Sequence, residues 1–95
     1  MSTLGILVNS DKYGDDVVGA VQAAKKAGHD VKIFMMDDGV LLAQPLCGEL
    51  GESAEMAYCD HSAEPRGVKE VPGATAGSQY QNAVMMHDAD KVVVF

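Results

Sequence analysis

Leu4-Gly5-Ile6-Leu7-Val8, an amphipathic stretch from Asp15 to Lys26, and Val31-Lys32-Ile33-Phe34-Met35-Met36 together decide the fold. Both apolar runs are nearly continuous, the pattern of strands buried on two faces. Between them, the polar loop Asn9-Ser10-Asp11-Lys12-Tyr13-Gly14 leads to a helix that the sequence starts with Asp15 as cap. Asp16 in the first turn suits the positive end of the helix dipole. Val17, Val21 and Ala24 fall on one face with Val18 beside them, Lys25 and Lys26 close the last turn, and Gly28 suits the residue after it. A strand, a helix of about thirteen residues and a second strand make a βαβ unit. Such a unit requires parallel pairing and a right-handed crossover.

Beyond the second strand, Asp37-Asp38-Gly39 reads as a turn and Val40 to Leu46 as a short helix limited by Pro45. Gly48 and Gly51 loosen the chain after it, so residues 45–53 are expected to be a mobile connection. A third strand runs from Ala54 to Cys59. Gly67 to Val71 is read as a brief strand ended by Pro72, and Gly73 to Gly77 as a loop of small residues. Ser78 and Gln81 stand at the spacing of a capping box. Tyr80, Ala83, Val84 and His87 then share a helical face, and Lys91 to Phe95 is a final β-branched strand. The expected fold is α/β, a three-layer α/β/α sandwich with a small, mostly parallel sheet of four or five strands. All of residues 1–95 are assigned to one domain.

Composition narrows the functions. Hydrophobic content of 47% against 22% charged residues is ordinary for a globular chain and argues against disorder. Seven basic against fourteen acidic residues give a net charge of −7, and only Lys25-Lys26 pairs basic residues. A nucleic-acid or anionic-membrane surface is therefore not expected. No run approaches a membrane span, and the amino terminus lacks the basic start of a signal peptide. The expectation is a cytoplasmic protein whose two cysteines are reduced thiols.

Chemistry concentrates at Tyr58-Cys59-Asp60-His61-Ser62, where an apolar strand gives way to polar residues. Ligands of α/β proteins gather at the carboxyl ends of parallel strands, and Cys59 stands at one. A reactive thiol needs a depressed pKa and access. Backbone N–H groups of a following turn, with His61 and Arg66, would favour the thiolate, whereas Asp60 would oppose it. The alternative is a buried, inert cysteine that closes a strand. Cys47, twelve residues earlier, is either a resolving thiol or a bystander.

Other chemistries find weaker patterns. Cys47, Cys59, Asp60, His61, His29 and His87 could suggest a metal, but C-x-x-C, H-x3-H and H-E-x-x-H are all absent, so no metal is assigned. His29 reads as a polar residue after a helix end, and His87 as a partly buried helix residue. Gly73-Ala74-Thr75-Ala76-Gly77-Ser78 precedes a helix, where free N–H groups could hold an anion. No Lys precedes Ser78 as a phosphate loop requires, and Asp11, Asp15 and Asp16 would repel the phosphate of a flavin at the first loop. No cofactor is expected. Met35-Met36 and Met85-Met86 read as gap fillers of a core or an interface.

Asp38-Gly39-Val40-Leu41-Leu42 after the second strand, Cys59 followed by Arg66-Gly67-Val68, and the ending Ala89-Asp90-Lys91-Val92-Val93-Val94-Phe95 together resemble the DsrE/DsrF-like family of small sulfur-relay proteins. The resemblance implies that Cys59 accepts sulfane sulfur as a persulfide and hands it to a partner thiol. It further implies that Asp38, Gly39 and Val40 help wall the pocket, and that subunits form trimers, hexamers or hetero-oligomers of related chains. Sulfur donor and acceptor proteins are the implied partners, and sulfurtransferase activity is the implied chemistry. The alternatives are a non-catalytic oligomeric module binding a small anion or nucleotide near Gly73–Ser78, and a purely structural subunit.

Overall fold

The computed structural model describes residues 2–95. Its centre is a five-stranded sheet of β1 (Thr3–Val8), β2 (Asp30–Met35), β3 (Glu55–Cys59), β4 (Ala74–Gly77) and β5 (Lys91–Val94), in the order β4-β3-β2-β1-β5. Every pairing is parallel. Helix α1 (Gly14–Lys26) joins β1 to β2, and α2 (Ala43–Leu50) lies between β2 and β3. The short α3 (Asp60–Ala63) follows β3, and α4 (Gln79–Asp88) joins β4 to β5.

The strand order fixes the layers. From β1 to β4 the chain steps in one direction across the sheet, and only the β4-to-β5 crossover reverses it. Right-handed crossovers made in one direction leave their helices on one face, and a reversed crossover leaves its helix on the other. Ile6, Val8, Ile33, Met35, Met56 and Tyr58 accordingly share a core with Val17 and Val21 of α1 and Leu46 and Leu50 of α2. Leu7, Phe34 and Cys59 alternate with those residues along the strands and meet Met85 of α4 instead.

Several elements depart from expectation. Residues 45–53 are not a loose connection, because Ala43–Leu50 is helical and buries Ala43, Leu46 and Leu50. Pro45 falls in the first turn, where N–H groups have no intrahelical partner, so it costs the helix nothing. Helix α1 starts at Gly14 with Tyr13 at the cap position, so Asp15 is a first-turn residue and not the cap.

The strand expected at Gly67–Val71 is absent, and the expected loop Gly73–Gly77 supplies β4 in its place. Its small residues carry little β propensity. Pairing with β3, in the register Met56 to Ala74 through Cys59 to Gly77, makes it a strand. On α4, Met85 is the only buried residue, while Tyr80, Val84 and His87 are exposed. His87 is thus a surface residue and not the half-buried one anticipated.

Candidate functional site

Cys59 is the last residue of β3 and the residue that caps the start of α3 by position. In a strand, alternate side chains take opposite faces. Met56 and Tyr58 enter the α1–α2 core, so Ala57 and Cys59 face the α4 side. The neighbouring residue on β4 is Gly77, which has no side chain to cover the sulfur. A cleft of about 620 Å³ opens there, lined by Met36, Asp37, Cys59, His61, Ser78 and Gln79, with Asp60, Ser62, Glu64 and Gly77 completing it.

Within the cleft Cys59 is only 4% exposed. Burial pushes the thiol pKa up. Hydrogen bonding by the Ser62 hydroxyl, the Ser62 N–H, the Gln79 side chain and the His61 N–H outweighs burial and leaves the thiol below its ordinary value. The donors come from two elements: the first turn of α3 presents two N–H groups and a hydroxyl, and the start of α4 presents a carboxamide. Gln79 is steadied in turn, since Asn82 Nδ2 donates to its Oε1 at 3.2 Å. That contact leaves the Gln79 Nε2 facing sulfur, and it lies 3.8 Å from Met36 Sδ.

The other anticipated residues fall elsewhere. Cys47 sits on α2, half-buried, with its Sγ 3.8 Å from Met56 Sδ. Met56 points away from the face that carries Cys59, so within one chain the sheet separates the two thiols. Burial also pushes the Cys47 thiol up. Val40 is buried in the α1–α2 core, and Gly39 lies against the end of β1. Neither reaches the cleft, because the turn after β2 folds over the α1–α2 face. Arg66 Nε binds Asp38 Oδ1 at 3.0 Å, and its Nη1 donates to the Ser62 carbonyl at 3.1 Å. Arg66 and Asp38 therefore brace α3 from behind, and the cleft gains Met36 and Asp37 instead. His61 does line the cleft, and it acts on the thiol through its backbone.

Residues that the sequence did not single out for this site include Ser62, Gln79, Met36 and Asp37. Ser62 carried a usable signal, since a residue three positions after a cap is where a first-turn donor belongs. Gln79 lies twenty residues from Cys59 and carried none. At the alternative anion site near Gly73–Ser78, the Ser78 N–H is occupied by Gln81 Oε1 at 2.6 Å, and Ser78 Oγ accepts from the Tyr80 N–H at 3.2 Å. The capping box closes on itself there. Among the described residues no three of His, Cys, Asp and Glu are grouped to hold a metal ion.

The family model described as "DsrE/DsrF-like family" matches residues 3–95. Among solved structures, the crystal structure of the ychN protein from E. coli superposes with a TM-score of 0.76 at 18% identity, over 100% of both chains. At that identity the likeness speaks for the fold. No curated protein matches the chain.

Proposed function

The chain belongs to the DsrE/DsrF-like family, and from that premise we propose that it is a sulfur carrier that holds sulfane sulfur as a persulfide on Cys59. The observation that carries the reading is the position of Cys59, at the carboxyl end of β3, beside the side-chain-free Gly77, and lining a cleft between the start of α3 and the start of α4. Thiol exchange needs a thiolate, a route to it and a docking surface. In the loading step the Cys59 thiolate attacks a sulfane sulfur of the donor. One S–S bond forms on Cys59, the donor's S–S bond breaks, and the electron pair leaves with the donor as a thiolate or shortened polysulfide. In the second step a partner thiolate attacks the outer sulfur, and Cys59 leaves as the thiolate it was at the start. No external oxidant or reductant is consumed.

The test is intact-protein mass spectrometry after treatment with polysulfide at high ionic strength. Wild type is expected to gain a reducible increment of one sulfur atom. Cys59→Ser is expected to gain none, and Cys47→Ser to behave like wild type. Loading that survives in Cys59→Ser and disappears in Cys47→Ser would overturn the assignment.

Oligomeric assembly and a cytoplasmic setting belong to the same proposal. Both cysteines are free, as thiols are in a reducing compartment. No described helix is long and apolar enough to cross a membrane. Assembly is supported by the thin cover on the α4 side of the sheet. There α4 leaves a groove of about 280 Å³ over Phe34, Ala57 and Thr75, edged by Tyr80, Val84 and Met85. Tyr80 is 72% and Val84 39% exposed, and an apolar patch of this kind fits a second copy of the chain.

A further inference from the structure

Resting on the sulfur-carrier reading, we infer that the Cys59 cleft selects for positive charge: its partner is a protein that carries its reactive sulfur beside basic residues, and anionic sulfur donors are disfavoured. Three carboxylates, Asp37, Asp60 and Glu64, line the cleft, and among the described residues no Lys or Arg does. Along the carboxyl edge of the sheet, Asp11 in the loop after β1 and Asp15 and Asp16 in the first turn of α1 outnumber Lys12 of the same loop. Arg66 is the nearby guanidinium, and it is engaged by Asp38 at 3.0 Å behind α3.

The chemistry of transfer sharpens the consequence. The Cys59 thiolate is an anion, and a persulfide donor or thiolate acceptor is an anion too. Around Cys59 the stabilising groups are neutral N–H, O–H and amide donors. They can lower the cost of one negative charge but cannot offset a second approaching through a carboxylate-lined mouth. Because Cys59 is 4% exposed, any incoming sulfur has to pass that mouth. The countercharge must therefore arrive with the partner. Clefts lined by one sign of charge raise or depress encounter rates by about 10- to 1,000-fold, and the effect falls steeply with salt.

Asp37 has a φ of 50°, in the left-handed region that few residues other than glycine, Asn and Asp adopt. Asn tolerates that backbone, so Asp37→Asn removes the charge without forcing the turn to move.

The experiment follows mixed-disulfide formation at Cys59, mapped by peptide mass, with three small disulfides: dicationic cystamine, neutral bis(2-hydroxyethyl) disulfide and dianionic dithiodiglycolate. In each reaction the thiolate forms one S–S bond, breaks another and releases the probe's thiolate. Each rate is divided by that of a neutral reference thiol, 2-mercaptoethanol, under the same conditions, which removes the probes' different leaving-group reactivities. On that scale cystamine is expected at low ionic strength to react at least about tenfold faster than dithiodiglycolate, with the neutral probe between them. The spread should collapse in about 1 M salt, where the Debye length is about 3 Å. It should also narrow severalfold in the double variant Asp37→Asn, Glu64→Gln. A normal rate with the neutral probe but no order by charge would overturn this inference and leave the carrier reading intact. So would an order unchanged in the double variant, which would trace selectivity to net charge alone. Failure of even the neutral probe to react with the folded protein would overturn both.

Discussion

Around the Cys59 sulfur, hydrogen bonding and burial act in opposite directions, and the donors prevail. That balance sets the pH dependence. The folded chain holds this thiol below its unfolded value, so the group contributes stability above the unfolded pKa. That contribution is lost as pH falls through the folded pKa. Reactivity tracks the same titration: alkylation of Cys59 should inflect at lower pH than an ordinary thiol. Gln79→Ala removes one donor from a different element than the rest, so it should move the inflection upward and slow alkylation at neutral pH. Superimposed pH profiles for wild type and Gln79→Ala would show that the carboxamide does nothing for the thiolate. Asn82 stands behind Gln79 as a positioning residue, since its Nδ2 holds the Gln79 Oε1 at 3.2 Å and leaves Nε2 toward Met36 Sδ at 3.8 Å.

At the scale of elements, the cleft depends on how tightly the turn after β2 is drawn against β1. Gly39 is the point of closest approach: a Cβ built there would run into the Val8 carbonyl oxygen, which is backbone and cannot move aside. The same carbonyl accepts the Met36 N–H at 2.9 Å. Gly39→Ala is therefore expected to destabilise the fold by about 3 kcal/mol, the upper part of the range for overpacked positions. Denaturant unfolding would read this as a lowered midpoint, and an unchanged midpoint would mean that the turn is free to shift. The resemblance placed Gly39 in a pocket wall. Its role in the structure is to let Met36 and Asp37 reach the cleft from the residues just before it. The brace from Arg66 to Asp38 is solvent-facing, so it orients α3 more than it stabilises the fold.

Across the whole molecule, the two faces of the sheet are covered unequally. Helices α1, α2 and α3 lie along the three crossovers made in one direction, and α4 alone lies along the reversed one. The α4 helix buries only Met85, so Tyr80, Val84 and Met86 remain exposed on it. If a second copy seats on this side, a charge at its centre should prevent assembly. Val84→Glu is expected to shift the protein to monomers in analytical ultracentrifugation while leaving its circular dichroism unchanged. A monomeric wild type, or a variant of undiminished size, would count against this face as the interface.

The alternation of Leu4–Val8 and Val31–Met36 with an amphipathic helix dictated a parallel α/β fold, because parallel strands need a long crossover connection and the stretch between these two is a helix. The capping box at Ser78 and the placement of Cys59 at a strand end were equally legible, since both rest on local chemistry. Pro45 and the glycines around it concealed α2, because a first-turn proline looks like a break until the cap position is known. Strand β4 was hidden for another reason: Ala74-Thr75-Ala76-Gly77 becomes a strand only through β3. The same holds for the surroundings of Cys59. Its face of the sheet and its isolation from Cys47 follow from strand alternation once Met56 and Tyr58 enter the α1–α2 core, and its proximity to Gln79 stems from the single reversed crossover that carries α4 to the far side. Strand order is a property of the assembled sheet and leaves no periodic mark on the chain, so tertiary structure alone decided it.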